Sequence, residues 1–235
     1  MAEPSKRRPV LNRPEGEAPR VRDVPGPRRT ESLFAAAFRN VFAWPYRIAL
    51  AGLYRAGLLP WHLTVLSLAT NGAIGWLLVS GRRFLPGLML IAAGLLDIFD
   101  GGLARLRGEA SRAGAFLDSV LDRVSDVILF GSLFWSLAGQ GRRASAALAI
   151  AALVVSLLVS HIRAEGEAMN LALTEGMMQR LERYVLLIIG LTAPGALLPV
   201  LIVISSLGAV TVLQRAASAW RQLGRLDRQL SNRER

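Results

Sequence analysis

The sequence predicts an all-α protein: an integral membrane bundle of six transmembrane helices preceded by an interfacial amphipathic helix. Three observations lead there. Hydrophobic residues make up 52% of the 235 residues, and mean hydropathy is +0.38. The apolar residues fall in runs near the 20-residue length that crosses a hydrocarbon core. The 28 basic residues gather on one side of the alternation those runs produce. The chain has no cysteine, so it offers neither a disulfide framework nor a thiolate metal site. In a soluble protein a net charge of +11 would suggest nucleic acid. Here no signature interleaves the arginines with aromatics, so the charge is read as orienting the chain and binding anionic lipid or phosphate.

Residues 1–30 are rich in Pro, Arg and Glu without hydrophobic period and are expected to be a disordered basic tail. No apolar core follows their basic residues, as a secretory signal would require. Residues 31–58 read as an interfacial helix. Leu33, Phe34, Phe38, Val41 and Phe42 can lie on one side, Trp44 and Tyr46 suit the headgroup level, and Pro45 is expected to divide the helix in two. A six-helix transmembrane domain then covers 59–223, with spans near 60–80, 84–106, 111–139, 142–168, 177–193 and 196–220. Pro60 and Pro86 fit first helical turns, where a missing N–H costs little. A cytoplasmic tail, 224–235, closes the chain. Six alternating spans leave Arg82, Arg83, Arg142 and Arg143 on one side and the other 24 basic residues on or near the opposite one. The positive-inside rule therefore places both termini at the cytoplasmic face of the cell membrane.

The polar exception to this pattern is 96–126, which holds Asp97, Asp100, Asp118, Asp122 and Asp126 between apolar runs. Carboxylates at the edge of lipid are costly and mark functional sites. Asp97 and Asp100 are three apart, and Asp118 and Asp122 four apart, so on helices each pair shares one face. Four carboxylates gathered together need cations between them. Hard oxygen donors of this kind suit Mg²⁺ or Mn²⁺. Gly101, Gly102, Ala104 and Gly114 would let a ligand lie against helix backbone. The alternative of another class is a cation transporter that uses the aspartates as an ion path.

Asp97-x-x-Asp100-Gly101-x-x-Ala104-Arg105, eight residues, then Gly114-x-x-x-Asp118-x-x-x-Asp122 resembles the signature of the CDP-alcohol phosphatidyltransferases. An ion path needs neither the glycines nor Arg105. The resemblance implies a lipid-synthesising enzyme that moves a phosphatidyl group from CDP-diacylglycerol to an alcohol and releases CMP. It implies two Mg²⁺ or Mn²⁺ ions held by Asp97, Asp100, Asp118 and Asp122, with Asp122 also the base for the acceptor hydroxyl. It further implies CDP-lipid contacts at Gly101, Ala104, Arg105, Ser111, Gly114 and Thr64. Ser111 can equally be a plain helix N-cap. Trp61 stands where the family usually has Asn or Asp, and His62 is read as interfacial. Arg123 and Asp126 are read as structural, with a salt bridge between them one option.

The segments Ser160-His161-Ile162-Arg163-Ala164-Glu165-Gly166-Glu167 and Gln179-Arg180-Leu181-Glu182-Arg183-Tyr184 are similar to the acceptor motifs of the phosphatidylinositol phosphate synthase branch. The resemblance implies that Arg163, Arg180 and Arg183 hold the phosphate of inositol 1-phosphate. Glu165 and Leu181 depart from that branch, which usually has a basic residue and Pro there. The alternative acceptor is glycerol 3-phosphate, as in phosphatidylglycerophosphate synthases, whose Leu-Asp-Pro-x-x-Asp-Lys motif is here Leu117-Asp118-Ser119-Val120-Leu121-Asp122-Arg123. The family is commonly homodimeric, and the many small residues in the spans permit close helix packing.

Overall fold

The computed structural model describes residues 33–173 and 178–233 together with Val21 and Val24. The expected tail of 1–30 lies almost wholly outside these residues, as do the side chains of 33–42 that were to form the amphipathic face. Among the described residues all regular structure is helical: α1 Leu33–Arg55, α2 Pro60–Val79, α3 Phe84–Arg107, α4 Arg112–Gly139, α5 Arg143–Ala168, α6 Arg180–Thr192 and α7 Leu197–Arg233.

Pro45 does not divide α1, which runs unbroken through it. A proline removes one i→i−4 bond and strains the turn before it, and neither effect obliges the helix to end. Tyr46 faces the protein interior. Its buried ring stacks on Phe99 of α3 with centroids 5.5 Å apart, which docks α1 onto the bundle. Trp44 of the same turn is exposed. Pro60 occupies the first turn of α2, and His62 caps the helix by accepting the Leu59 N–H at Nδ1, 3.0 Å. Ser111 caps α4 by accepting the Gly114 N–H, 3.0 Å. Gly108 ends α3 in the left-handed conformation, φ 73°, which a side chain would strain.

Neighbouring helices form a closed ring in the order α2, α3, α6, α7, α5, α4 and back to α2, with α1 outside against α3. Ile74, Leu90, Leu129, Leu133, Ala149, Leu187 and Leu201 fill its interior without solvent exposure. A second cluster joins Val24, Tyr46 and Leu50 to Leu63, Leu103 and Leu106. The outer faces are apolar: Trp76, Leu88, Ile91, Trp135, Val154 and Ile202 are exposed. A bundle apolar inside and out is built for lipid.

Four helices, α2, α3, α5 and the 197–229 part of α7, are long and apolar enough to cross a membrane. In α4 the apolar stretch is interrupted by Asp118, Asp122, Arg123 and Asp126, and α6 has 13 residues, about 20 Å of helix. Contacts nevertheless fix which ends lie together. At one end Arg83 hydrogen-bonds to Gln140, and a Cβ built on Gly87 would stand 2.7 Å from Thr192 at the end of α6. At the other end Thr64 meets Asp100, and Gln222 of α7 bonds Ala172 after α5 through its amide, 3.0 Å. The helix α7 extends past the span expected at 196–220 and continues to Arg233.

Candidate active site

The helices α3 and α4 carry the aspartates on facing sides, and α2 packs against both. From α2, Ser67 donates to Asp97 Oδ1 at 2.5 Å and Thr64 donates to Asp100 Oδ2 at 3.1 Å. The Gly101 N–H lies 2.5 Å from Asp100 Oδ1. Asp97, Asp100, Asp118 and Asp122 line one cavity of about 10 Å³ with Thr64, Ser67 and Ser125, room for one water-sized species.

Arg180 enters from α6. Its Nη2 lies 3.0 Å from Asp97 Oδ2, its Nη1 pairs with Asp122, and Nη2 donates to the Tyr184 hydroxyl at 2.9 Å. One guanidinium thus bridges a carboxylate of α3 to one of α4. With Arg180 between them, no group of three or more His, Cys, Asp or Glu among the described residues is in metal-ligating arrangement. The donor set itself fits a hard divalent cation: four carboxylates from two helices around a small polar cavity. Arg180 engages an oxygen of two of them, Asp97 and Asp122.

The cavity shares Thr64, Asp100 and Asp118 with a larger pocket of about 340 Å³ that opens toward the ends of α2, α3 and α4. Its walls include Thr64, Gly101, Ala104, Arg105, Ser111 and Gly114, all six residues expected to contact a CDP-lipid. Small residues on α3 and α4 keep it open, and Arg105 is its cationic wall. The volume lies in the range of small-molecule sites.

Arg183 lies beyond Arg180. It and Asp126 are each 3% exposed, and its Nη2 stands 3.3 Å from Asp126 Oδ2, which also accepts from Ser156 of α5 at 2.5 Å. Arg163 is exposed and pairs with Glu167 across one turn at 2.8 Å. The three arginines therefore occupy three different settings.

Residues 57–220 match the family model described as CDP-alcohol phosphatidyltransferase. The chain belongs to the CDP-alcohol phosphatidyltransferase family. It is thereby an enzyme of the transferase class, from a membrane-bound family. It is 31% identical over 186 residues to the phosphatidylinositol phosphate synthase of Mycobacterium marinum, covering 75% of this chain and 80% of that one. The fold is similar to crystal structures of the Mycobacterium tuberculosis phosphatidylinositol phosphate synthase. The form with CDP-DAG bound gives a TM-score of 0.67 at 31% identity, over 73% of this chain and 92% of that one. The form in complex with manganese and citrate gives 0.67 at 30% identity, over 73% and 87%.

Several residues of this transferase site escape sequence reasoning. Asp126 does not bond Arg123: that arginine turns back to Ser119, 2.6 Å to Oγ, and reaches the Ser160 carbonyl at 3.3 Å. Ser67, Ser156 and Tyr184 are ordinary helix residues until the ring sets them against Asp97, Asp126 and Arg180. Arg215 of α7 is buried and donates to the Val159 carbonyl at 3.0 Å. An arginine deep in an apolar run was the available signal, and the span assigned to 196–220 absorbed it.

Proposed function

We propose that this chain is a phosphatidylinositol phosphate synthase, transferring the phosphatidyl group of CDP-diacylglycerol to inositol 1-phosphate with release of CMP. The observation that carries the reading is the junction of the two hollows: all four signature aspartates line a small cavity that opens into a pocket walled by all six expected CDP-lipid residues. Relatives at about 31% identity bearing that name favour the inositol phosphate acceptor.

Asp97, Asp100, Asp118 and Asp122 would hold two divalent ions, Mg²⁺ or Mn²⁺, which offset diphosphate charge during displacement. The chain's own residues do the rest. Gly101, Ala104 and Gly114 let the nucleotide lie against α3 and α4, with Thr64 and Ser111 at its edges, and Arg105 pairs with diphosphate oxygen. The acceptor oxygen bonds to the phosphorus that bears the diacylglycerol. The bond from that phosphorus to the bridging oxygen breaks, and CMP leaves with it. Asp122 takes the hydroxyl proton. Arg180 touches Asp122, so an acceptor phosphate held by Arg180 would sit beside the base, with Arg163 free to join it; Arg183 could do so only by leaving its buried pair with Asp126. Arg163 gives up only an exposed ion pair, worth about 0–1 kcal/mol.

The contact of Arg83 with Gln140 supports six crossings: if α3 carries the chain across, α4 must bring it back. The arginine bias supports cytoplasmic aspartates and termini, and exposed apolar helix faces suit a homodimer.

The deciding experiment gives purified protein CDP-diacylglycerol, Mg²⁺ or Mn²⁺, and inositol 1-phosphate, glycerol 3-phosphate, free inositol or serine, and measures CMP release. Inositol 1-phosphate should be used best, and EDTA should abolish release until Mg²⁺ or Mn²⁺ is restored. Preference for glycerol 3-phosphate would move the chain to the other phosphorylated-acceptor branch. Full turnover without divalent metal would overturn the site assignment.

A further inference from the structure

The end of the bundle remote from the aspartates carries a charge cluster that the transfer reaction does not use. The α2–α3 turn reads Ser80-Gly81-Arg82-Arg83 and the α4–α5 turn reads Gln140-Gly141-Arg142-Arg143. The two turns are built alike. Gly81 and Gly141 have φ 80° and 69°. The Gly81 N–H bonds the Leu78 carbonyl at 2.9 Å and that of Arg82 bonds Leu77 at 3.0 Å; Gly141 and Arg142 repeat this with Ala138 and Leu137, both at 3.0 Å. The Arg83–Gln140 hydrogen bond sets the turns side by side, with Arg142 close enough to Arg83 for their charges to interact.

Among the described residues no carboxylate forms an ion pair with these four guanidinium groups. Residues 57–96, 127–164 and 184–226 contain no Asp or Glu. Along the helices the nearest carboxylates, Asp97 and Asp126, are 14 residues from Arg83 and 17 from Arg143. That is about 20 Å or more of helix, beyond the ~8 Å screening length at physiological salt. The turns join C-termini of α2 and α4 to N-termini of α3 and α5, so the helix dipoles cancel and the arginine charges remain. Arg83 and Arg142 occupy the N-cap positions of α3 and α5, and neither supplies a side-chain cap. Orientation does not explain them, because arginines are disfavoured on the side a membrane protein translocates. Close by, Trp76, Trp135 and Phe84 are 69%, 68% and 61% exposed, aromatic rings of the kind that sit at headgroup level.

We propose that this paired Gly-Arg-Arg surface binds the phosphate headgroup of an anionic phospholipid in the leaflet opposite the active site, a reading that rests on the helices spanning the membrane. Guanidinium forks match phosphate oxygens through charge-assisted pairs. The uncapped first-turn N–H groups of α3 and α5 are further donors, and the exposed aromatic rings lie along the acyl chains.

The test uses the full chain in nanodiscs of phosphatidylcholine doped with phosphatidylglycerol, with retained lipid counted by native mass spectrometry. The wild type should keep phosphatidylglycerol. The R82Q/R83Q/R142Q/R143Q variant should keep about tenfold less or lower. Its CMP release in pure phosphatidylcholine should be unchanged, which shows that it is folded. The corresponding lysine variant should retain an intermediate amount. The variant R221Q/R225Q/R228Q, changed on α7 at the other end, should retain lipid like the wild type. If the fourfold variant does not fold, R82Q/R83Q and R142Q/R143Q are each expected to lose several-fold. Undiminished retention in the turn variants, an equal loss in the α7 control, or full displacement of the lipid by millimolar inorganic phosphate would each overturn the proposal.

Discussion

Asp122 and Arg183 are both ion-paired aspartate–arginine members, yet substitution should affect them oppositely. Asp122 lines the cavity, half-buried, with Arg180 as its partner. Asn at 122 keeps the shape and an oxygen but cannot take a proton, so Asp122→Asn should abolish CMP release while leaving CDP-lipid binding and thermal stability near wild type. Near-normal turnover would remove Asp122 from the role of base. Arg183 is locked to Asp126 in the interior, and removing one partner of a buried pair strands the other charge. Arg183→Ala should therefore destabilise the protein by about 3–5 kcal/mol, read as a lowered melting temperature in detergent, whatever it does to acceptor KM. Arg180→Ala should raise acceptor KM roughly tenfold or more and leave the CDP-lipid KM nearly unchanged. The aspartate spacing made Asp97, Asp100, Asp118 and Asp122 legible, because a three- or four-residue step fixes a helix face. The bond from Asp126 to Arg183, 57 positions away, was not legible. Local spacing suggested Arg123, and only the ring order of helices decides such a partner.

At the scale of elements, the neighbouring glycines Gly101 and Gly102 show how one turn of α3 serves two surfaces. A Cβ at Gly102 would collide with the Tyr46 hydroxyl, whereas one at Gly101 meets only the far end of Arg105, at 3.5 Å. Gly102→Ala should cost about 1–3 kcal/mol through overpacking and loosen α1. Gly101→Ala should keep the melting temperature and weaken CDP-lipid binding instead. Adding Tyr46→Phe to Gly102→Ala removes the clashing oxygen and should recover most of the loss. Failure of that rescue would mean that the hydroxyl is not what Gly102 makes room for. The helices themselves were largely legible: Pro60 and Pro86 and the apolar lengths marked α2 to α5 to within a few residues. The continuity of α1 through Pro45 was not, since a proline reports a lost hydrogen bond rather than the packing around it. Nor was the reach of α7 to Arg233, where a polar sequence continues an apolar helix.

For the whole molecule, the number of crossings decides whether the aspartates of α3 and the C-terminal end of α5 share one side of the membrane, and two readings compete. If only the four long apolar helices cross, the chain enters through α2, returns through α3, crosses again through α5 and returns through α7. Residue 80 then lies outside, 140 inside and 170 outside. If α4 and α6 cross as well, 80 and 140 lie outside and 170 inside. The hydrogen bond between Arg83 and Gln140 suits only the second arrangement, because the first puts a bilayer between them. Along α3, the 13 residues of α6 reach from the level of Asp97, through Arg180, to the level of Gly87, through Thr192. The chain has no cysteine, so single cysteines can be placed without background. In intact cells, Ser80→Cys and Gln140→Cys should react with a membrane-impermeant maleimide. Glu109→Cys and Asn170→Cys should react only after the membrane is opened. Labelling of position 170 but not 140 in intact cells would reduce the crossings to four and separate Arg83 from Gln140. Labelling of 109 from outside would invert the protein and put the aspartates on the wrong side for a cytoplasmic nucleotide donor.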